Sequence, residues 1–346
     1  VNKSIYSAGA ALIALTAMLA SCAPAEKQAI EVTAPVPPDS TILNVHPPGP
    51  AQNEAAHAVK ETVRPIMVLI NNHPSARPQS GLSYADVLYE CLAEGEVTRI
   101  AAIYRHPAFA EPVGPVRSIR PYFIDLGKIY DALQVHAGGS PDGYTKLEEE
   151  GIDHLDEITN AGRFFWRESF RKAPHNLYTD ISKLEQGARK LTFREQPEDR
   201  AVFKQAEAEP VEGTQPGTQI DVTFLLDSYK VSYRYDPDQQ VYKRLINGAA
   251  HLDLDNNRQL ETENVVILGA DHKVLDNEGR RDITLIGSGQ GYLVQKGKAQ
   301  VIEWTRKSAE DKFHLYKDKV ELGLIPGRSH YLIVPNQRYE QHIQIR

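Results

Sequence analysis

Cysteine is nearly absent: 346 residues carry only Cys22 and Cys91. A disulfide framework is thereby excluded, and no cysteine cluster offers metal ligands. A basic surplus is missing as well. Lysine plus arginine is 39 against 46 aspartate plus glutamate, a formal charge of −7. A dedicated nucleic-acid binder shows the opposite balance, so nucleic acid is not an expected partner. Neither G-x-S-x-G, nor H-E-x-x-H, nor a nucleoside-triphosphatase phosphate loop occurs. Gly138-Gly139-Ser140-Pro141-Asp142 fails the first of these at its last position. No metal and no cofactor is expected, and no internal repeat of fixed period is present. Hydrophobic residues make up 41% and charged residues 25%, which excludes wholesale disorder. The length fits about two domains.

Lys3 is the sole charge in residues 1–21. The apolar stretch 8–20 is too short to span a bilayer comfortably and reads as the core of a secretory signal peptide. It runs into Leu19-Ala20-Ser21-Cys22-Ala23. Small residues before a cysteine suit a lipobox, in which the thiol of Cys22 accepts a diacylglycerol. Residues 1–21 are therefore expected to be removed and Cys22 lipidated, leaving 38 − 46 = −8 on the mature chain. The protein would be extracytoplasmic and anchored to the cell membrane, each acyl CH₂ contributing about 0.8 kcal/mol. Residues 22–63 read as a lipidated tether, with Pro35, Pro37, Pro38, Pro47, Pro48 and Pro50 keeping it extended. A short helix is expected at 51–63.

The spacing beyond the tether predicts an α+β protein. Residues 64–203 suit a mixed α/β layered domain. Strands are expected at 65–70, 99–104 and 132–136. Helices are expected at 121–130, where Pro121 fits a first turn, from Ser140-Pro141 onward, and at 180–191. Ser83-x-x-Asp86 looks like a further helix start, with Val87, Leu88, Cys91 and Leu92 as its apolar face. Residues 204–219 lack large apolar side chains and read as a linker. From 220 to 346 the texture is mainly β, as a sandwich or partial barrel. Its short strands are expected at 220–226, 231–235, 241–246, 265–268, 291–295, 299–304 and 331–334.

Four segments carry candidate chemistry. The first is 114–121. Between residues 64 and 190 there are ten arginines and five lysines, and Arg117 and Arg120 flank the expected helix start at Pro121. Planar guanidinium forks beside free helix N–H groups suit a carboxylate or phosphate. The second is V-H-A-G-G-S-P-D-G at 135–143, which leaves a strand, passes two glycines and enters a helix. His136, Ser140 and Asp142 lie there, although helix capping alone accounts for Ser140. The third is 165–178, where Arg167, Arg171, His175 and Asn176 crowd with Trp166, Phe170 and Tyr178. Such a mixture suits a sugar or peptide, and also suits a loop packed onto a domain. The fourth is 71–80, a proline-rich loop holding His73 and Arg77. His136, Ser140 and His175 are the candidates for a nucleophile or an acid/base. Glu90 and Glu94 fall at i, i+4 of the expected helix and read as solvated surface. Cys91 reads as packing.

R-P-I-M-V-L-I-N-N-H-P-S-A-R-P-Q-S-G-L-S-Y-A-D-V-L-Y-E at 64–90 resembles the start of the YerB-like bacterial lipoprotein family. G-P-V-R-S-I-R-P-Y-F at 114–123, V-H-A-G-G-S-P at 135–141 and A-P-H-N-L-Y at 173–178 are similar to its other landmarks. G-x-G-Q-G-Y, a Gly-Lys turn and E-W-T-R at 303–306 resemble its second domain. The likeness covers about residues 64–335 and implies a lipid anchor and a two-domain chain. It implies no reaction and no catalytic residues.

Two functions fit these features. One is a surface-anchored envelope lipoprotein that binds a cell-wall glycan or peptide, or a wall-synthesis protein, and modulates envelope assembly. The other is a hydrolase or transferase on an envelope polymer bearing phosphate or carboxylate. There the arginine pair would hold the anion and a histidine would be the acid/base.

Overall fold

Short apolar runs become strands here because both of their faces are buried, which leaves no solvated side for an amphipathic helix. The computed structural model describes residues 63–198, 214–337 and 339–346. The expected signal peptide, Cys22 and nearly all of the tether and its helix lie outside the described residues. The N-terminal region contributes β1 (Ile66–Asn71), β2 (Val87–Leu92), β3 (Thr98–Tyr104), β4 (Leu133–His136) and β5 (His154–Asp156). It also contributes α1 (Pro121–Ile129), α2 (Pro141–Glu149) and α3 (Ile181–Lys190). Pro121 occupies the first turn of α1, and the side chains of Ser140 and Asp180 cap α2 and α3.

The helix expected after Ser83 is a strand. Only Leu82–Tyr84 turns, as a single 3-10 turn behind Gly81, and Val87–Leu92 then runs through the sheet interior with all six residues buried. Apolar residues at 87, 88, 91 and 92 fit a helix face as well as a strand covered on both sides, and a run this short does not separate the two. Glu90 and Glu94 therefore share no helix face. Glu90 is 2% exposed within β2, and Glu94 lies in the turn beyond it. Cys91 is fully buried, and burial pushes its thiol well above the ordinary value, with Glu90 adding to the effect.

The C-terminal region is mainly β. Its strands are β6 (Gln219–Thr223), β7 (Lys230–Asp236), β8 (Val241–Ile246), β9 (Asn264–Ala270), β10 (Gly287–Gln295), β11 (Lys298–Arg306), β12 (His314–Lys317), β13 (Val320–Leu322), β14 (Ser329–Pro335) and β15 (Ile343–Ile345). The four-residue Tyr339–His342 is the sole α-helix among its described residues. No described helix is long and apolar enough to cross a membrane.

Both regions feed one sheet. Its order is β13-β12-β11-β10-β9-β14-β2-β3-β1-β4-β5, and Gln215–Pro216 also pairs with β11. β14 lies between the two regions and runs parallel to both neighbours. Its register runs from Val87↔Ser329 to Cys91↔Ile333 on one side and from Asn264↔Ser329 to Ala270↔Pro335 on the other. A second, six-stranded sheet built on β8, β7, β6 and β15 packs Val222, Val231 and Tyr233 against Val265, Ile267 and Leu332 of the first. No barrel closes among the described residues. α1 covers one face of the large sheet, with Phe123 and Leu126 on Met67 and Leu69. α3 covers the other, with Ile181 and Leu184 on Val68 and Val135.

β1, β4 and β5 are mutually parallel. Their C-terminal ends, Asn71, His136 and Asp156, therefore share one edge. In open α/β sheets this is the edge where ligands sit.

Candidate functional site

The loops leaving that edge contain most of the candidate residues. The segment before α1 lies across the strand ends as an irregular extra strand. Its Arg117 N–H donates to Leu69 O at 2.8 Å, and its carbonyl accepts from Ala137 N at 3.1 Å. Arg117 is thus pinned between the ends of β1 and β4. Its side chain is half-buried, and its Nε is buried without a hydrogen-bond partner. It makes no ion pair among the described residues. Burial lowers the guanidinium from its ordinary value, Glu94 opposes that shift and Arg120 adds to it.

Two histidines stand beside it. The rings of His73 and His175 stack at a centroid distance of 4.5 Å and an angle of 17°. Asn71, the last residue of β1, sets both in place. Its Oδ1 accepts from His73 N at 3.0 Å, and its Nδ2 donates to His175 Nδ1 at 2.9 Å. His73 Nδ1 in turn accepts from Ser75 N at 3.1 Å. Burial holds His175 below the ordinary histidine range, and His73, Arg117 and Arg171 push in the same direction. Arg171 staples the loop carrying His175 onto the loop carrying His73. It donates to Ala76 O at 2.7 Å, to Tyr178 Oη at 2.8 Å and to Pro78 O. The Arg77–Pro78, Gly114–Pro115 and Ala173–Pro174 bonds of these loops are cis.

The other candidates sit around this group in different settings. Arg120 does not point free beside Arg117. It pairs with Glu94, whose other oxygen accepts from Arg99 Nη2 at 2.7 Å. Burial opposes ionisation of Glu94, but Arg99 and Arg120 hold its carboxyl below the ordinary range. His136 has no exposed surface. Its Nδ1 donates to Gly138 O at 2.9 Å and its Nε2 meets His154 Nδ1 at 3.0 Å, while burial drives it down to about 4. Ser140 is buried, and its Oγ accepts from Gly143 N at 3.1 Å as the α2 cap. Asp142 is exposed on the first turn of α2. Arg77 donates to Asn72 O at 2.7 Å and lies over the Tyr229 ring at 4.7 Å. Asn176 is buried and ties Arg167 to Glu168 O. Among the described residues no group of three or more His, Cys, Asp or Glu side chains is arranged to hold a metal ion.

Asp156 holds up the glycine loop beneath the site. Its two oxygens accept from Gly138 N at 2.8 Å, Ile158 N at 3.1 Å, Tyr144 Oη at 2.8 Å and Thr159 Oγ1 at 2.9 Å. Gly138 has φ +76°, which a side chain resists. Behind the site, Asn72 Nδ2, Thr98 Oγ1 and Tyr229 Oη all donate to Glu90 Oε1, at 3.0, 2.7 and 2.5 Å. Arg244 Nη2 reaches Glu90 Oε2 at 2.6 Å, with both side chains 2% exposed.

Comparison with known proteins now decides the family. The model described as "Protein of unknown function (DUF3048) N-terminal domain" matches residues 52–194, and its C-terminal counterpart matches residues 220–330. The chain belongs to the DUF3048 family. The "Putative lipoprotein YerB" of Bacillus subtilis (strain 168) is 35% identical over 274 residues, 79% of this chain and 82% of that protein. The crystal structure of YerB protein from Bacillus subtilis matches with a TM-score of 0.74 and 32% identity, covering 84% of this chain and 97% of that one. The YerB-like resemblance of the first-domain motifs is thus correct.

This DUF3048 chain also holds residues that sequence reasoning passes over, Asn71, Arg99, Asp156 and Arg244, and two that it reads as solvated surface, Glu90 and Glu94. Arg99 offered a signal, since an arginine opening a strand as apolar as R-I-A-A-I-Y needs a carboxylate partner. Glu90 and Arg244 offered none that is local, being 154 residues apart.

Proposed function

We propose that this protein is a cell-envelope lipoprotein that binds an anionic component of the cell wall at the C-terminal edge of β1, β4 and β5, and so tunes envelope assembly. Cys22 would carry the lipid anchor, and the proline-rich tether would lift the folded region off the membrane. The naming of the Bacillus subtilis relative as a lipoprotein supports the anchor. The observation that carries the binding reading is Arg117. A half-buried guanidinium with an unpartnered Nε, beside two half-buried histidines, is the setting of a site awaiting an anion.

The test is retention of the protein on purified cell-wall fractions, with Arg117→Ala alongside. A hydrogen bond to a charged group contributes about 1.5–3 kcal/mol, so the variant is expected to bind about tenfold to a hundredfold more weakly. Circular dichroism should show its fold intact, since Arg117 makes no ion pair within the described residues. Equal retention of both proteins would overturn the reading.

A further inference from the structure

The two stacked histidines have a fixed tautomer, and it follows from donors whose identity is certain. A backbone N–H can only donate, so Ser75 N makes His73 Nδ1 an acceptor. The His73 backbone N–H likewise makes Asn71 Oδ1 an acceptor, which turns Asn71 Nδ2 toward His175 and makes His175 Nδ1 an acceptor too. A neutral imidazole with a lone pair at Nδ1 carries its proton at Nε2. Both rings therefore present an Nε2–H, and neither Nε2 has a hydrogen-bond partner among the described residues. His136, at the end of β4, is the counterexample. Its Nδ1 faces a carbonyl, so it holds the opposite tautomer inside the core.

We propose that His73 and His175 form a neutral twin N–H clamp for one oxyanion group, a phosphodiester or a carboxylate, beside the Arg117 guanidinium. This rests on the anion-binding reading above and adds how the ligand is held. Ligating a metal through Nε2 needs a lone pair there and a proton on Nδ1, where Ser75 N–H and Asn71 Nδ2 already point. Taking a proton at Nε2 needs the same lone pair, so the pair donates to its ligand and does not serve as a base. Adding a second proton to either ring would set Nδ1–H against a fixed donor. The charged groups acting on His175 are Arg117 and Arg171, with His73 stacked on it, and all three disfavour the imidazolium. His175 therefore resists taking on charge, and Arg117 supplies the positive charge of the site.

The test uses the full chain with ¹⁵N-labelled histidine. Long-range ¹H–¹⁵N spectra should show both rings as Nε2–H at about pH 7.5, above the ordinary histidine value. Dimethyl phosphate and acetate are then titrated separately, and the one that shifts both Nε2–H signals identifies the ligand chemistry. His73→Phe or His175→Phe should each weaken its binding about tenfold. An Nδ1–H tautomer in the wild-type spectra would overturn the clamp, and so would Zn²⁺ binding that either variant abolishes. If neither probe touches the histidines while wall binding still depends on Arg117, the clamp fails and the anion reading stands. If wall binding is absent as well, both fail.

Discussion

Three histidines around one strand edge show how environment sets what a residue type can do. His73 and His175 meet N–H donors at Nδ1 and are half-buried, while His136 meets a carbonyl and is wholly enclosed. The enclosure has a thermodynamic consequence. The folded state holds His136 at about 4, whereas an unfolded chain binds its proton near the ordinary value of about 6.5. Below that value the unfolded state carries more protons than the folded one, so stability is lost as the pH is lowered. From about pH 6.5 to about pH 4 this site alone should remove about 3 kcal/mol. Urea melts at stepped pH on wild type and His136→Asn would check it, since the variant should lose that part of the slope. An identical slope in both would rule His136 out as its source.

At the level of elements, local signals were read well wherever one residue fixes a boundary. Pro121, Ser140 and Asp180 mark the starts of α1, α2 and α3 through chemistry that needs no tertiary context. Ser140→Ala should therefore cost about 1 kcal/mol in thermal stability and leave wall binding unchanged. Lost binding with the same melting temperature would instead make Ser140 a ligand contact. β2 is a strand and not the expected helix, because burial on both faces erases its periodicity and Glu90 imitates an exposed helix position. The position of the candidate loops was legible, since glycine, proline and histidine at strand ends are visible in sequence. Which of their side chains converge was not. Arg117 and Arg120 are equivalent in the sequence, yet Glu94 takes one of them and leaves the other. Only the path of the β2–β3 turn decides that, and no residue near either arginine announces it.

Across the whole molecule, the two regions are joined by backbone and by charge. The Glu90 carboxylate in β2 and the Arg244 guanidinium in β8 neutralise each other out of water, with Tyr229, Thr98 and Asn72 filling the remaining valences. Removing one partner strands a buried charge, so Glu90→Ala or Arg244→Ala should cost about 3–5 kcal/mol. Replacing both together with apolar residues should cost less than the sum. Chemical denaturation of the single and double variants would measure the difference, and strict additivity would deny the coupling. The backbone joint, β14, has a consequence in time. Whether it leaves a ribosome or an export channel, the chain is delivered from its N-terminus, so β2 emerges some 240 residues before its neighbour Ser329–Pro335. Through that interval the N-terminal half has an open hydrogen-bonding edge along β2, all six of whose residues are buried in the finished sheet, and such an edge invites pairing with another chain. A chain of this topology can close its central sheet only when its last strands arrive, so β2 stays unpaired on that side until they do.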